Sequence, residues 1–508
     1  MTDRGRFWRT ATAPDREPAI LQALRFVAMR WRRVVPISII IFLPVFWHQR
    51  IEAGDLASHT YNAWLAQLIE SGQAPGLYIA RQWNNILVDV ALLRLGNILG
   101  FPAAEKIVVS VSALTFFWGA FAFITSATRR PPWFLIPAIA MITYGWTFQM
   151  GFMNYYLSLG VGFFAIAVLW RSTGGADWIF GLILLALTWM AHPMGFGCVI
   201  GIAVYVILAD KLRGWYRWAL LTAACGVVVA AHFYIVHQFR TQYWETSIFY
   251  LMNGADQLVL YGDRYVKLAM ATLLFGSLAL LYDRRRQPEN GVSRAHLRTT
   301  FELWAILLLT AALIPELIQL PQYAGPVGFP VSRLTSITAV MGLTVLGFMR
   351  PRQWHLAGFT LLAALFFSWM FHDTGALNTM EAQAEALVRT LPYGRRVTET
   401  IWAQPDSRVF FVNHLVDRAC IGRCFTYSNY EPSSGQFRIR VRPGSLIVTN
   451  SWEDSSAMEQ GEYVVRPEDL PMSHIYQCDA RDLTRLCIRD LAAGEKDGSV
   501  GYHTPATK

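Results

Sequence analysis

Asp55, His59, Asn62 and Glu70 lie within Gly54–Gly76, GDLASHTYNAWLAQLIESGQAPG, at a spacing that sets all four on one face of a helix. The opposite face takes Ala57, Tyr61, Trp64, Leu65 and Leu68, given a turn of about 100° per residue. Such a helix is expected to lie at a membrane surface, apolar side down, with a carboxylate, an imidazole and an amide directed into a cleft. Asp55 follows Gly54, where an aspartate serves equally as a helix N-cap or, facing the cleft, as a general base. His59, one turn on, suits orienting that base, holding a phosphate, or covering interface surface.

Arg333, in GFPVSRLTS, is an arginine near the outer end of an apolar run, a place that is costly unless it is paired or snorkelling, and its fork can grip an anion in a bidentate manner. An ordinary interfacial snorkeller is the plain alternative. Arg81, Arg264 and Lys267 are weaker candidates. His192, in AHPMG, either satisfies backbone in a tight turn or contacts phosphate or sugar, with Asn154, Tyr155 and Tyr156 nearby. Trp83 and Asn84–Asn85 suit stacking on and hydrogen bonding to a sugar, or anchoring an interfacial helix. His372–Asp373 reads as a boundary pair. His414, Asp417, Arg418 and Tyr427 surround Cys420 and Cys424 and receive no catalytic role. No G-x-S-x-G, H-E-x-x-H or Walker A pattern occurs.

The elements that must position these residues follow from composition. Of the 508 residues 54% are hydrophobic and only 16% charged, against about 25% in soluble domains, and the mean hydropathy is +0.31. The chain reads as an integral membrane protein. Its net charge of +9 is dispersed in short loops, which is a topology signal and excludes a nucleic-acid groove. Residues 1–33 read as a cytoplasmic basic amphipathic N-terminus, not a cleavable signal. About eleven spans are expected at 34–50, 107–127, 133–149, 155–170, 178–192, 194–209, 218–237, 265–282, 302–320, 331–349 and 356–371.

The arginine- and lysine-rich loops alternate with this count, which puts the N-terminus inside and the inserts 51–106, 238–264 and 321–333 outside. Residues 86–100 are expected as a helix in the interface. Residues 34–371 then form the transmembrane domain, and 372–508 an exported soluble α/β domain. That domain should hold a helix at 381–391 and strands at 408–413, 437–442 and 445–450. Cys420, Cys424, Cys478 and Cys487 fall in it, where oxidation is available; local pairs Cys420–Cys424 and Cys478–Cys487 are favoured over cross-pairing.

A GD-x3-H helix after the first span, a G-x-x-P-G exit at Gly72–Gly76, about eleven spans and an exported C-terminal domain resemble the GT-C superfamily of polytopic glycosyltransferases. The local motif covers residues 54–80 and the architecture most of the chain. The resemblance implies an all-α polytopic membrane protein in a bacterial inner membrane. It implies inverting hexosyl or pentosyl transfer from a polyprenyl-phosphate-linked sugar to a glycan, lipid or protein acceptor. Asp55 stands where the family has its base or metal-associated acid, with His59 as helper; Arg333, His192, Arg81, Asn62 and Trp83 would bind substrate, and Mg or Mn is a possible cofactor. The sequence departs from members with a paired-acid motif in a later exported loop, since Glu245, Asp256 and Asp263 make no D-x-D. A lipid-linked saccharide transporter and a non-catalytic scaffold with an exported binding domain are the rival classes.

Overall fold

The computed structural model describes residues 17–172, 174–243, 250–283, 291–403, 406–410, 414–479 and 482–499. The chain is mostly helical. Among the described residues seven helices are long and apolar enough to cross a membrane: Phe101–Thr128, Met153–Trp170, Pro193–Lys211, Trp215–Gln238, Asp263–Tyr282, Pro330–Gly347 and Gln353–Arg389. Gly175–Ala191 is apolar but shorter. Burial sorts these helices. Pro330–Gly347 has 83% of its apolar window covered by protein and Trp215–Gln238 has none, so only an apolar surround such as a bilayer satisfies the latter. In the centre, Phe101–Thr128 and Met153–Trp170 meet at two glycines; a Cβ on Gly119 would lie 2.3 Å from the Gly160 carbonyl oxygen.

Several expected boundaries move. A single helix, Ala19–Phe46, runs through the boundary expected at residue 33, with Pro36 and Pro44 inside it. The 133–149 span is broken into Trp133–Leu135, Ile136–Thr143 and Trp146–Gln149, because Gly145 presses on the Gln257 carbonyl, where a Cβ would approach to 2.8 Å. Pro315 follows the end of the helix Gly291–Leu313, and Leu317–Gln319 is a strand in place of the rest of the 302–320 span. The residue-372 boundary falls inside Gln353–Arg389, whose 37 residues extend about 55 Å, well past the roughly 30 Å bilayer core.

Among the described residues three small sheets tie the loops together. Leu77–Ile79 pairs antiparallel with Ile439–Val441, fastening the segment after residue 76 to the C-terminal part. Arg240–Gln242, Leu317–Gln319 and Val327–Gly328 form an antiparallel triplet just before the helix Pro330–Gly347. A four-stranded sheet sets Cys424–Thr426, Arg395–Thr400, Met472–Gln477 and Leu486–Asp490 side by side, parallel across the first two pairings and antiparallel across the last. Of the three expected strands, 437–442 survives as Ile439–Val441. Residues 445–450 are irregular, as are 408–410, and 411–413 lie outside the described residues. The two disulfides are Cys420–Cys424 and Cys478–Cys487, and Cys198 and Cys225 are free. Val397, Leu415 and Ile475 belong to the same contiguous core as Leu65 and Phe117, so the C-terminal part packs into the helical part.

The helix bearing Asp55 and His59, Leu56–Glu70, does not lie apolar side down on a membrane. Tyr61 and Leu65 are fully buried, and so, nearly, are His59 and Asn62 on the opposite face. Its apolar side is covered by protein: Trp64 stacks on Phe425 at 5.8 Å, and the Thr426 amide donates to the Tyr61 hydroxyl at 2.9 Å. An amphipathic pattern records which face is apolar, not whether lipid or protein covers it.

Candidate functional site

Asp55 owes its place to two glycines. Its amide donates to the Met150 carbonyl at 2.9 Å. Gly54 has no room for a side chain, since a Cβ would lie 2.4 Å from that same oxygen. Gly151 takes φ +75°, and a Cβ there would come within 2.5 Å of the Asp55 nitrogen. The carboxylate sits at the N-cap position but makes no capping hydrogen bond. It faces a cavity of about 600 Å³ instead.

That cavity brings Asp55, His59, His192 and Arg333 together, four of the seven residues singled out from sequence. His59 is held from behind: its Nδ1 meets Asp89 at 2.8 Å, and the Asn154 amide donates to the other Asp89 oxygen at 3.1 Å. Burial disfavours a charged imidazole, but Asp89 outweighs it and lifts His59 to about 9. His192 satisfies backbone, as one of its two readings has it, and also lines the cavity. Its Nδ1 accepts the Met194 amide at 3.2 Å, capping the helix Pro193–Lys211, while the ring stands edge-on to Tyr155 and lines the cavity.

Arg333 occupies the first turn of Pro330–Gly347. That turn is built by Glu316, whose carboxylate accepts the Val331 and Ser332 amides at 3.1 and 3.3 Å, and by Phe329, held at φ +60° beside Pro330. Its guanidinium has no ion pair among the described residues, and Nε has no hydrogen-bond partner. An aromatic bed replaces them, with the guanidinium carbon 3.9 Å from the Phe152 ring centre and 6.0 Å from that of Tyr155. The half-buried guanidinium faces the hollow that Asp55 also lines.

Three expected residues fall elsewhere. Asn62 is locked between Ser58 and Asn429, its amide donating to the Ser58 carbonyl at 3.0 Å and accepting from Asn429 at 2.9 Å. Arg81 stacks on Trp83 with its guanidinium carbon 5.5 Å from the ring, both on the surface. The intervening Gln82 and the following Asn84 and Asn85 line the cavity in their place, Asn85 at φ +54°. Of the later acids, Asp256 is buried against Arg408 at 3.1 Å and does not reach the cavity. Asp263 begins a helix, and Glu245 lies outside the described residues.

The C-terminal part supplies the groups that sequence reasoning missed. His414, Tyr430, Trp452 and Glu459 also line the cavity. Burial pushes the Glu459 carboxyl up to about 7, and does the same to Glu431, which accepts from Ser58 at 2.8 Å just behind His59. His414 was visible as a titratable residue beside two cysteines; nothing local in the sequence marked Glu459.

No family model, curated protein or solved structure matches this chain. The geometry is therefore read on its own chemistry. Among the described residues no group of three or more His, Cys, Asp or Glu side chains is arranged to hold a metal ion. The two imidazoles beside Asp55 each face an aspartate of their own, His59 facing Asp89 at 2.8 Å and His414 facing Asp417 at 3.0 Å.

Proposed function

We propose that the protein is a membrane glycosyltransferase of GT-C type, taking a sugar from a polyprenyl-phosphate carrier and placing it on a hydroxyl acceptor at the extracytoplasmic face of a bacterial inner membrane. The reading takes the chain to cross the membrane about eleven times with its N-terminus inside and residues beyond the last long helix outside. The observation that carries it is the convergence of Asp55 and Arg333, 278 positions apart in sequence (333 − 55), on one cavity.

Arg333 receives the donor phosphate. Asp55 takes the proton of the acceptor hydroxyl as its oxygen attacks the anomeric carbon. The bond from that carbon to the phosphate oxygen breaks, inverting the centre, and the carrier phosphate leaves held by Arg333. His59 and His414 keep the surrounding field positive while two anions, base and phosphate, share the hollow. The amides of Gln82, Asn84 and Asn85 and the Trp452 ring suit a sugar's hydroxyls and faces.

Transfer from a labelled polyprenyl-phosphate sugar by the purified protein tests this. Asp55→Asn should lower kcat by about 10²–10⁴, and Arg333→Ala should raise the donor KM. Asp55→Asn with wild-type turnover removes the base. A wild-type protein inert with every lipid-linked donor leaves the transporter and scaffold readings.

A further inference from the structure

The Asp55 carboxylate is not held by its own helix, which it fails to cap. Its ionic partner comes from the far end of the chain. His414 Nε2 lies 3.6 Å from Asp55 Oδ1, an ion-pair distance beyond that of a hydrogen bond. The imidazole is fixed behind by Asp417, 3.0 Å from Nδ1, and flanked by the Tyr430 ring at 5.5 Å. The helix Leu415–Cys420 that carries Asp417 is tied in turn to the strand Arg395–Thr400, where Glu399 accepts the Val416 amide at 3.1 Å.

We propose that His414 is a positioning residue for Asp55: backed by Asp417, its ring draws the carboxylate out of the capping position and aims it at the cavity, so that the segment beyond the last long helix completes the reaction centre. This rests on the reading of Asp55 as the base. A chain cut after residue 389 would keep Arg333 and lose the grip on Asp55.

The charge balance around His414 supports the role. Asp417 on its own helix, Asp55 before Leu56–Glu70, Glu459 on Trp452–Glu459, Glu399 on the neighbouring strand and Glu431 all face it. Burial opposes its protonation, but Asp417 and then Asp55 outweigh burial and raise it to about 10. The ring is thus a cation throughout the neutral range. It accepts no proton during transfer; the acceptor's proton goes to Asp55 and His414 stays charged. At 3.6 Å it also leaves the carboxylate lone pairs open to the acceptor hydroxyl.

Two measurements test the proposal, one of them independent of any sugar. In full-length protein labelled at histidine and held in nanodiscs, the imidazole resonance lost in His414→Gln should titrate about one unit lower in Asp55→Asn than in wild type. An unmoved midpoint overturns the contact. In the transfer assay, His414→Gln should lower kcat roughly tenfold at unchanged donor KM, and move the acid limb of the pH–rate profile upward, with His414→Phe worse. A wild-type profile and kcat per folded molecule would reduce His414 to a packing residue. An inactive wild type fails the transferase reading instead, and the titration still decides the pairing.

Discussion

Phe152, the bed on which the Arg333 guanidinium rests at 3.9 Å, is the residue immediately after Gly151, whose backbone presses on the Asp55 amide. One turn, Met150–Phe152, therefore places both the candidate base and the candidate phosphate ligand. The two groups cannot drift independently: a shift of this turn moves the carboxylate by way of its amide and the guanidinium by way of its ring.

Phe152→Leu keeps most of the volume and removes the ring face. Arg333 then loses the contact that holds it in place of an ion pair. Re-ordering a freed side chain on each binding event costs about 0.5–1.5 kcal/mol, or roughly a two- to tenfold weaker grip on phosphate. Binding of farnesyl phosphate to protein in detergent, with farnesol as the uncharged control, reads this directly. Equal affinity for farnesyl phosphate in wild type and variant would show that the ring does not place the cation.

Gly151 and Gly72 have nearly the same backbone, φ +75° and +73°, but a Cβ on Gly72 meets nothing within 4 Å. Gly72→Ala therefore pays only the left-handed conformation, about 1 kcal/mol. Gly151→Ala pays that and also drives a carbon into the Leu56 and Asp55 nitrogens. Turnover should fall at least tenfold in Gly151→Ala and stay near wild type in Gly72→Ala. Indistinguishable variants would mean that the close approach does not set the carboxylate.

The sequence made the helix Leu56–Glu70 and its polar face readable, because a polar stripe through an apolar segment is a local pattern. Arg333 was readable for the same reason, as a charge at the edge of a hydrophobic run. What stayed hidden depends on distance along the chain. The strands Arg395–Thr400 and Met472–Gln477 are mostly buried on both faces, so they lack the alternation that marks a half-exposed strand. The cover over Tyr61 and Trp64 comes from residues 425 and 426, and no period in residues 56–70 distinguishes that cover from lipid. His414 and Glu459 join the cavity only through tertiary packing. Asn62 was misassigned because a helical wheel gives its face and not its neighbour, Asn429.

Arg418 holds the C-terminal part to the rest at a buried cluster of charge. It meets Glu105 at 2.8 Å, Glu381 at 2.5 Å and Glu52 at 3.7 Å, and donates to the Ile51 carbonyl at 3.0 Å. The second oxygen of Glu105 accepts from Thr60, on the helix that follows Asp55, at 2.7 Å. Arg418→Ala strands Glu105 and Glu52 and leaves Glu381 only Arg50, at 3.7 Å, a loss of about 3–5 kcal/mol for a buried pair broken on one side. The thermal midpoint in nanodiscs should drop sharply, whereas Arg389→Ala, removing an exposed partner of Glu385, should leave it nearly unchanged. Comparable midpoints in the two variants would show that the cluster does not hold the parts together.

The protonation of the cavity gives stability a direction with pH. Asp89 and Asp417 raise His59 and His414 to about 9 and about 10 against the outward pull of burial, from an unfolded value near 6.5. Their contribution is complete below that unfolded value and is lost as pH rises through 9 to 10. Glu431 and Glu459, raised by burial from 4.5 to about 7, act with the same sign but earlier, their contribution being lost by about pH 7, which leaves the fall above neutrality to the two imidazoles. The thermal midpoint should therefore fall steadily from neutrality to pH 10. Asp89→Asn, by releasing His59 from its partner, should start lower at pH 7 and fall less steeply. A wild-type midpoint that is flat across this range would mean that the two imidazoles are neutral in the folded protein, and the positive field assigned to them around Asp55 would go with it.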